Sequence, residues 1–179
     1  GLKRAIGIIG TRGLRTDHPN AGLDAMRRDR GAADQSTAAD RANDDVEIRR
    51  GYFPGSIGLV LELHARYYHA HWGFGVLFEA QLARGLAEFF GRYDELRDGF
   101  WTAAVSKRVE GSITIDGLHA ADAGAHLRWF IVSDALRGKG VGTRLLNTAV
   151  ESCRAKKYRR IFLHTFAGLH AARQLYEKT

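Results

Sequence analysis

The sequence predicts an α+β fold with a mixed, largely antiparallel sheet flanked by helices. Three observations lead to this prediction: short strand patterns outnumber helix patterns, two helix patterns follow one another early, and one more helix pattern separates two late strands. The predicted order is β-α-α-β-β-β-α-β-α, without an internal repeat. An order of this kind implies helices packed on a sheet in one sandwich.

The compact domain is predicted to begin at residue 46 and to run to residue 179. The stretch Val46–Arg50 alternates like a short strand. Pro54 suits the first turn of a helix that runs to about Trp72. A second helix has its apolar side between Leu77 and Phe90.

The later elements follow from the same reading of periodicity. Strands are predicted at 100–105, 113–116, 124–132 and 160–166, and helices at about 140–156 and 169–178. The stretch Val109–Ser112 is predicted to be the turn between the first two of these strands. Residues 1–45 have no sustained hydrophobic period beyond a short apolar start, which predicts a leader or linker of low order.

The composition is that of a soluble globular protein, with 45% hydrophobic residues, 26% charged residues and a net charge of +7. No apolar run is long enough to span a bilayer. The positive charge suits an anionic phosphorylated cofactor as well as nucleic acid, but no nucleic-acid motif accompanies it, so no direct nucleic-acid partner is expected. The single cysteine, Cys153, excludes an intramolecular disulfide and points to the cytoplasm.

The strongest motif of the chain is a glycine-rich run between a strand pattern and a helix pattern. It reads Arg137-Gly138-Lys139-Gly140-Val141-Gly142-Thr143. A turn of this type exposes backbone N–H groups at the positive end of a helix dipole, where phosphate binds well. Arg137 and Lys139 add positive charge. The alternative is an ordinary strand-to-helix loop that needs glycine for its turn.

Two motifs at suitable separation resemble the GNAT family of N-acetyltransferases. The first is Arg137-x-x-Gly140-x-Gly142, and the second is Ala172-Arg173-Gln174-Leu175-Tyr176-Glu177-Lys178. The lead-in at 48–51 and the helices around 64–78 are similar to acetyltransferase domains fused to MarR-type regulators. The resemblance covers residues 46 to 179 and implies the mixed sheet characteristic of the family.

The resemblance implies acetyl-CoA as co-substrate and a small-molecule or peptide amine as acceptor. The pyrophosphate would lie on the amides of Gly138, Lys139, Gly140, Val141, Gly142 and Thr143, with Arg137 at the start of the loop. The pantetheine arm would pair with the strand before it, at Phe130, Ile131 and Val132. A parting of the strands beside 163–165 would hold the thioester, and a backbone amide near Ile131 or Val132 would stabilise the oxyanion.

The family resemblance also assigns proton transfers. Tyr176 would be the general acid that protonates the departing thiolate. His164, Glu62, Glu79 or an ordered water are the candidates for the general base. No metal is expected, because His64 and His71 share a helix face without a carboxylate at ligand spacing.

Two departures from the family pattern stand beside these expectations. Leu169 occupies a position where many relatives have Asn. The sequence ends at Thr179, where relatives continue with two further strands. The strand at 160–166 would then be an exposed edge, covered by the leader or by a homodimer partner, or open because the chain is truncated. A non-catalytic acyl-CoA-binding or regulatory module is therefore the main alternative to an enzyme, and a nucleic-acid-binding protein is the second.

Overall fold

A computed structural model of the chain describes residues 2–9 and 46–166. The elements, in chain order, are strands β1 (Lys3–Ile9) and β2 (Glu47–Arg50), helices α1 (Ser56–Trp72) and α2 (Val76–Gly91), strands β3 (Gly99–Val105), β4 (Arg108–Asp116) and β5 (Ala125–Val132), helix α3 (Val141–Ala155) and strand β6 (Arg160–Phe166). A 3-10 turn, Asp134–Leu136, lies between β5 and α3. The helix predicted at 169–178 lies outside the described residues.

All six described strands form one sheet in the order β1-β6-β5-β4-β3-β2. The pairs from β2 to β5 are antiparallel, whereas β5 pairs with β6, and β6 with β1, in parallel. The parallel pairing of β5 and β6 is possible because α3 crosses between them. The predicted α+β fold with a mixed, largely antiparallel sheet is confirmed.

Each face of the sheet is covered by helices, because successive side chains of a strand point to opposite faces and those of β3 are buried from Gly99 to Ala103. On one face, Trp101, Ala103, Ile113 and Ile115 pack against buried side chains of α3. On the other, Phe100 packs with residues of α1 and α2. The α3 side chains in this core are Val141, Leu145, Leu146, Ala149, Val150 and Cys153.

Cys153 is one of these core residues. Its side chain is fully buried, and burial raises the pKa of the thiol to about 12. A thiol in this state is a small hydrophobe of the core and not a nucleophile.

The turn of the β3–β4 hairpin differs from the prediction. Residues 109–112 belong to β4, and the turn is formed by Ser106 and Lys107, which have φ angles of 49° and 68°. Two consecutive residues with positive φ are typical of a two-residue hairpin turn, which glycine or asparagine normally signals in a sequence. The glycine that suggested a turn, Gly111, instead lies where a Cβ would be 3.1 Å from the Ile131 carbonyl oxygen.

The first residues of the chain also differ from the expected leader of low order. Lys3–Ile9 form β1, which pairs along its whole length with β6, from Lys3 opposite Arg160 to Ile9 opposite Phe166. The edge of β6 that faces away from β5 is therefore paired with the first residues of the same chain. The homodimer expected at this edge stays a prediction, and the edge it would cover is that of β1.

Within residues 2–9 and 46–166, no helix has the length and apolar character that crossing a membrane demands.

Candidate active site

The glycine-rich run forms a tight loop that connects β5 to α3. Gly138 and Gly140 have φ angles of 77° and 72°, in the left-handed region that glycine adopts without strain. A Cβ at either position would meet no other atom within 4 Å, so the outer side of the loop is open. A ligand can therefore approach the backbone closely at these two residues.

The loop ends at an uncapped helix N-terminus. Gly140 is the N-cap of α3 and provides no side-chain hydrogen bond. The first helical hydrogen bond of α3 runs from the Arg144 N–H to the Gly140 oxygen at 3.0 Å, so the N–H groups of Val141, Gly142 and Thr143 precede it. Unpaired donors at the positive end of a helix dipole form an anion site.

Two basic side chains flank these donors. In the described part of the chain, the Lys139 ammonium has no ion-pair partner, so its charge is free for an anionic ligand. The Arg137 guanidinium is already engaged, because it contacts Asp134 at 2.5 Å and donates to the Tyr67 hydroxyl at 3.2 Å. Leu136 and Val141, on either side of the glycines, are buried in the core and fix the two ends of the loop.

Strands β5 and β6 part immediately before this loop. Their parallel pairing covers Ala125 to Leu127 on β5 and ends at Leu127 opposite Leu163. Beyond that point, no described residue pairs with β5 on its β6 side. The backbone of Phe130, Ile131 and Val132 therefore borders an opening in the sheet, as expected for a strand that receives an extended ligand.

A β-bulge in β5 accompanies the parting of the strands. The β4–β5 register shifts between Ser112, opposite Ile131, and Thr114, opposite Arg128. Trp129 lies in the extra stretch with a φ of 47°, which is rare for a bulky residue. A bulge bends its strand and redirects backbone groups, and bulges concentrate near active sites.

Side chains on three elements hold the bulge. The Ser112 hydroxyl donates to the Trp129 carbonyl oxygen at 2.8 Å. The Trp129 ring packs edge-to-face on Phe89 of α2 at 5.4 Å, and the Arg128 guanidinium lies over the same ring at 4.2 Å. The strained conformation is thus fixed by the packing around it.

Helices α1 and α2 bring aromatic rings to the same end of β5. Ile131 packs with the buried rings of Tyr68 and Phe74, and Phe78 lies against the same cluster. Phe74 and Phe78 also line a cleft of about 310 Å³ between the end of α1 and the start of α2, where Glu79 and Arg66 are among the polar residues. Phe74 and Phe78 therefore belong to the core cluster and also form part of the wall of this cleft.

His164 lies on β6, one residue beyond the last β5–β6 pair, at the point where the strands part. Its side chain is exposed. Its ring is 4.9 Å from that of His126, which stacks on Phe162 at 4.6 Å. Burial is the main reason why the pKa of His126 is lowered to about 4, with the charges of Arg128 and His164 adding to the effect.

The other proton-transfer candidates have different positions. Glu62 is on the exposed face of α1, where it forms an ion pair with Arg66 at 2.9 Å, so it faces solvent instead of the sheet. Glu79 lies at the cleft between α1 and α2. Tyr176 and Leu169 lie outside the described residues, so the roles assigned to them stay predictions.

The histidines of α1 have structural contacts. The His64 ring is buried, and its Nδ1–H donates to the Val60 oxygen at 2.9 Å. Burial lowers the pKa of His64 to about 4, since the charged ring would lose its hydration. Among the described residues, no group of three His, Cys, Asp or Glu side chains is arranged to hold a metal ion.

Residues 59–179 match the model of the Acetyltransferase (GNAT) family. The chain belongs to the GNAT acetyltransferase family. A search among curated proteins finds none with significant similarity.

Solved structures agree in fold with this assignment. The chain is similar to a GNAT acetyltransferase from Staphylococcus aureus Mu50, with a TM-score of 0.64, 17% identity, and 75% of this chain and 81% of the other covered. It is also similar to an acetyltransferase from Streptococcus agalactiae 2603, with a TM-score of 0.60 and 23% identity, and with 75% of this chain and 81% of the other covered. A third similar structure is a predicted acetyltransferase from Clostridium acetobutylicum, solved with acetyl-CoA. Its TM-score is 0.57 at 16% identity, and 74% of this chain and 87% of the other are covered.

Sequence reasoning did not identify the bulge at Trp129 or the contacts of Arg137. The alternation of polar and apolar residues ends at Arg128, and the apolar run at 129–132 is equally typical of a buried strand, so it does not mark an extra residue. The partners of Arg137 lie on α1 and on the 3-10 turn, and only the fold brings Tyr67 to the loop.

The buried ring of His64 predicts that the stability of the protein depends on pH. The folded-state pKa of His64 is lowered to about 4 from an unfolded value of 6.5, so its contribution is fully present above pH 6.5 and is lost as the pH falls towards 4. In that window it adds a slope of up to about 1.4 kcal/mol per pH unit to the free energy of unfolding. Urea unfolding at several pH values between 7 and 5 measures this slope.

The matched variants are His64→Gln and His119→Gln, because the His119 side chain is exposed in the loop after β4. The first variant should flatten the slope and the second should leave it unchanged. An identical slope in the wild type and His64→Gln would contradict the assignment of a neutral buried ring.

Proposed function

We propose that the chain is an N-acetyltransferase that transfers the acetyl group of acetyl-CoA to a primary amine by direct attack within a ternary complex. The observation that carries the proposal is the loop between β5 and α3, where free N–H donors lie beside the parted strands. The acceptor is proposed to be a small molecule or a peptide with a free amine. The solved structure of the Clostridium acetobutylicum acetyltransferase with acetyl-CoA supports the choice of cofactor.

The residues of the loop fit the phosphates of this co-substrate. Gly138 and Gly140 leave open space where side chains would otherwise project, and the N–H groups of Val141, Gly142 and Thr143 supply donors. Lys139 adds a cation without a partner in the described chain. Backbone donors and one free positive charge together suit a pyrophosphate group.

The backbone of β5 fits the extended part of the co-substrate. Phe130, Ile131 and Val132 border the opening beside β6, and an amide-containing arm can pair with an unpaired strand as another strand would. Acetyl-CoA supplies the activated acetyl group. An N–H group of Ile131 or Val132 is proposed to donate to the carbonyl oxygen as negative charge develops on it.

Two side chains are proposed to move protons. The amine nitrogen forms its bond to the acetyl carbon, the carbon–sulfur bond breaks, and Tyr176 donates its proton to the departing thiolate. His164 is the proposed base that takes the proton from the amine, and its position where the strands part supports this role. Glu79 and an ordered water remain the alternatives for the base.

The proposed compartment is the cytoplasm. The chain has a single cysteine, and Cys153 is buried in the core, so the described fold depends on no intrachain disulfide. The similarity to acetyltransferase domains fused to MarR-type regulators stays a prediction.

An assay of thiol release from acetyl-CoA, with and without a panel of amines, tests the proposed function. The panel should include small polyamines, amino acids and peptides with free N-termini, and the acetylated product should be identified by mass. Amine-dependent thiol release is the expected result. Binding of acetyl-CoA without transfer to any amine would favour a non-catalytic acyl-CoA-binding or regulatory module, and absence of binding would refute both functions.

Gly140→Asp is expected to abolish CoA binding, because it places a carboxylate at the anion site in a left-handed backbone conformation. Gly55→Asp is the matched control, since Gly55 is also the left-handed N-cap of a helix, with φ 89° and open space around its Cβ. Titration calorimetry with CoA should detect no binding to the first variant and wild-type affinity for the second. Equal affinity of both variants would place the cofactor elsewhere.

Tyr176→Phe removes the proposed acid while keeping the ring. Turnover should fall by about 10²–10⁴-fold, as loss of a general acid does, with little change in the affinity for acetyl-CoA. Steady-state kinetics and calorimetry measure the two quantities separately. A turnover equal to that of the wild type would eliminate the acid role.

A further inference from the structure

Four side chains form a closed ring of contacts between helix α1 and the glycine loop. The Asp134 carboxylate contacts an imidazole and a guanidinium with different oxygens: its Oδ2 lies 3.1 Å from His71 Nε2, and its Oδ1 lies 2.5 Å from Arg137 Nη2. The same Arg137 nitrogen donates to the Tyr67 hydroxyl at 3.2 Å. The Tyr67 ring closes the circuit by stacking on His71, with centroids 4.2 Å apart and planes at 24°.

His71 is oriented from both sides of its ring. Its Nδ1–H donates to the Tyr67 backbone oxygen at 2.8 Å, one turn earlier in α1. Its Nε2 faces a carboxylate, which only accepts hydrogen bonds. Both contacts are satisfied together when both ring nitrogens carry a hydrogen, that is, in the imidazolium form.

The closed ring of four side chains contacts the glycine loop at Arg137, where the anion site begins. Asp134 belongs to the 3-10 turn, and Arg137 directly precedes Gly138 with its left-handed backbone. A loop with glycine at positions 138 and 140 gains little rigidity from its own side chains, because glycine has the greatest backbone freedom. Contacts that fix Asp134 and Arg137 therefore restrict the entry to the loop.

We propose that His71 is a positioning residue of the cofactor site: through Asp134 it holds Arg137, and with it the loop of residues 134–140, against helix α1. This inference rests on the proposed function, because the loop is positioned for acetyl-CoA. It also gives Tyr67 a role as the second support of Arg137. A loop held in advance loses less conformational entropy when it binds its ligand.

The side chains are partly exposed, at 28% for His71, 54% for Asp134 and 64% for Arg137, so solvent weakens their attraction. The expected effect of losing the His71 contact is correspondingly moderate. We expect the affinity for CoA to fall by about threefold to tenfold.

Two substitutions of His71 separate the hydrogen bond from the shape of the ring. His71→Phe keeps an aromatic ring for stacking on Tyr67 but removes both nitrogens. His71→Gln keeps an N–H donor that can reach Asp134. His119→Phe is the matched control, since His119 is exposed in the loop after β4.

Two measurements on these proteins test the proposal at pH 6. Amide hydrogen exchange over residues 134–143 reports the loop without any ligand, and calorimetry gives the Kd of CoA. His71→Phe should exchange faster in this segment and bind CoA about threefold to tenfold more weakly, whereas His71→Gln and His119→Phe should stay within twofold of the wild type. Asp134→Asn should reproduce His71→Phe, and it covers the case in which His71→Phe does not fold.

Rescue by His71→Gln is a readout that a purely structural role would not change, because this variant restores the hydrogen bond to Asp134 and not the stacking on Tyr67.

The outcomes distinguish the two proposals. If the wild type binds no CoA, the proposed function fails, and the exchange measurement alone decides whether His71 holds the loop. If the wild type binds CoA but His71→Phe matches it in exchange and Kd, the positioning role is refuted. It is also refuted if His71→Gln is as impaired as His71→Phe, because the hydrogen bond to Asp134 would then not be the cause.

Discussion

The early end of the β5–β6 pairing is the constraint on which the rest of the structure depends. The two strands are paired only as far as Leu127 and Leu163, although both continue beyond these residues. A strand that leaves its neighbour exposes backbone donors and acceptors that must find other partners. In this sheet, the opening lies directly before the loop that leads to α3, so strand backbone and helix N-terminus face one ligand site together.

The parting is accompanied by a conformational cost that the packing around it offsets. Trp129 has a positive φ, which costs of the order of 1–3 kcal/mol for a residue of this type. The hydrogen bond from Ser112, the edge-to-face contact with Phe89 and the cation over the Trp129 ring together hold the bulge. The bent strand is thus a built feature, with supports from β4 and α2.

Much of the fold follows from the sequence because its signals are local. The stripe from Leu145 to Cys153 identifies α3 through its helical period, and the glycine run marks the loop before it. The sequence could not place the β3–β4 turn, because Ser106 and Lys107 adopt positive φ angles without the usual glycine. Strand β1 was missed for another reason, since its partner β6 lies at the far end of the chain and only the folded sheet brings them together.

For the candidate site too, the part encoded by a local motif could be predicted from the sequence, and the part formed by distant segments could not. The backbone anion site at 138–143 follows from a local motif, whereas the ring of Tyr67, His71, Asp134 and Arg137 joins two segments that no periodicity connects. A crystal structure of the protein with CoA tests the central claim most directly. We expect the pyrophosphate within hydrogen-bonding distance of the N–H groups between Gly138 and Thr143, with the pantetheine arm along β5. A CoA bound away from this loop, with the opening between β5 and β6 unused, would contradict the account.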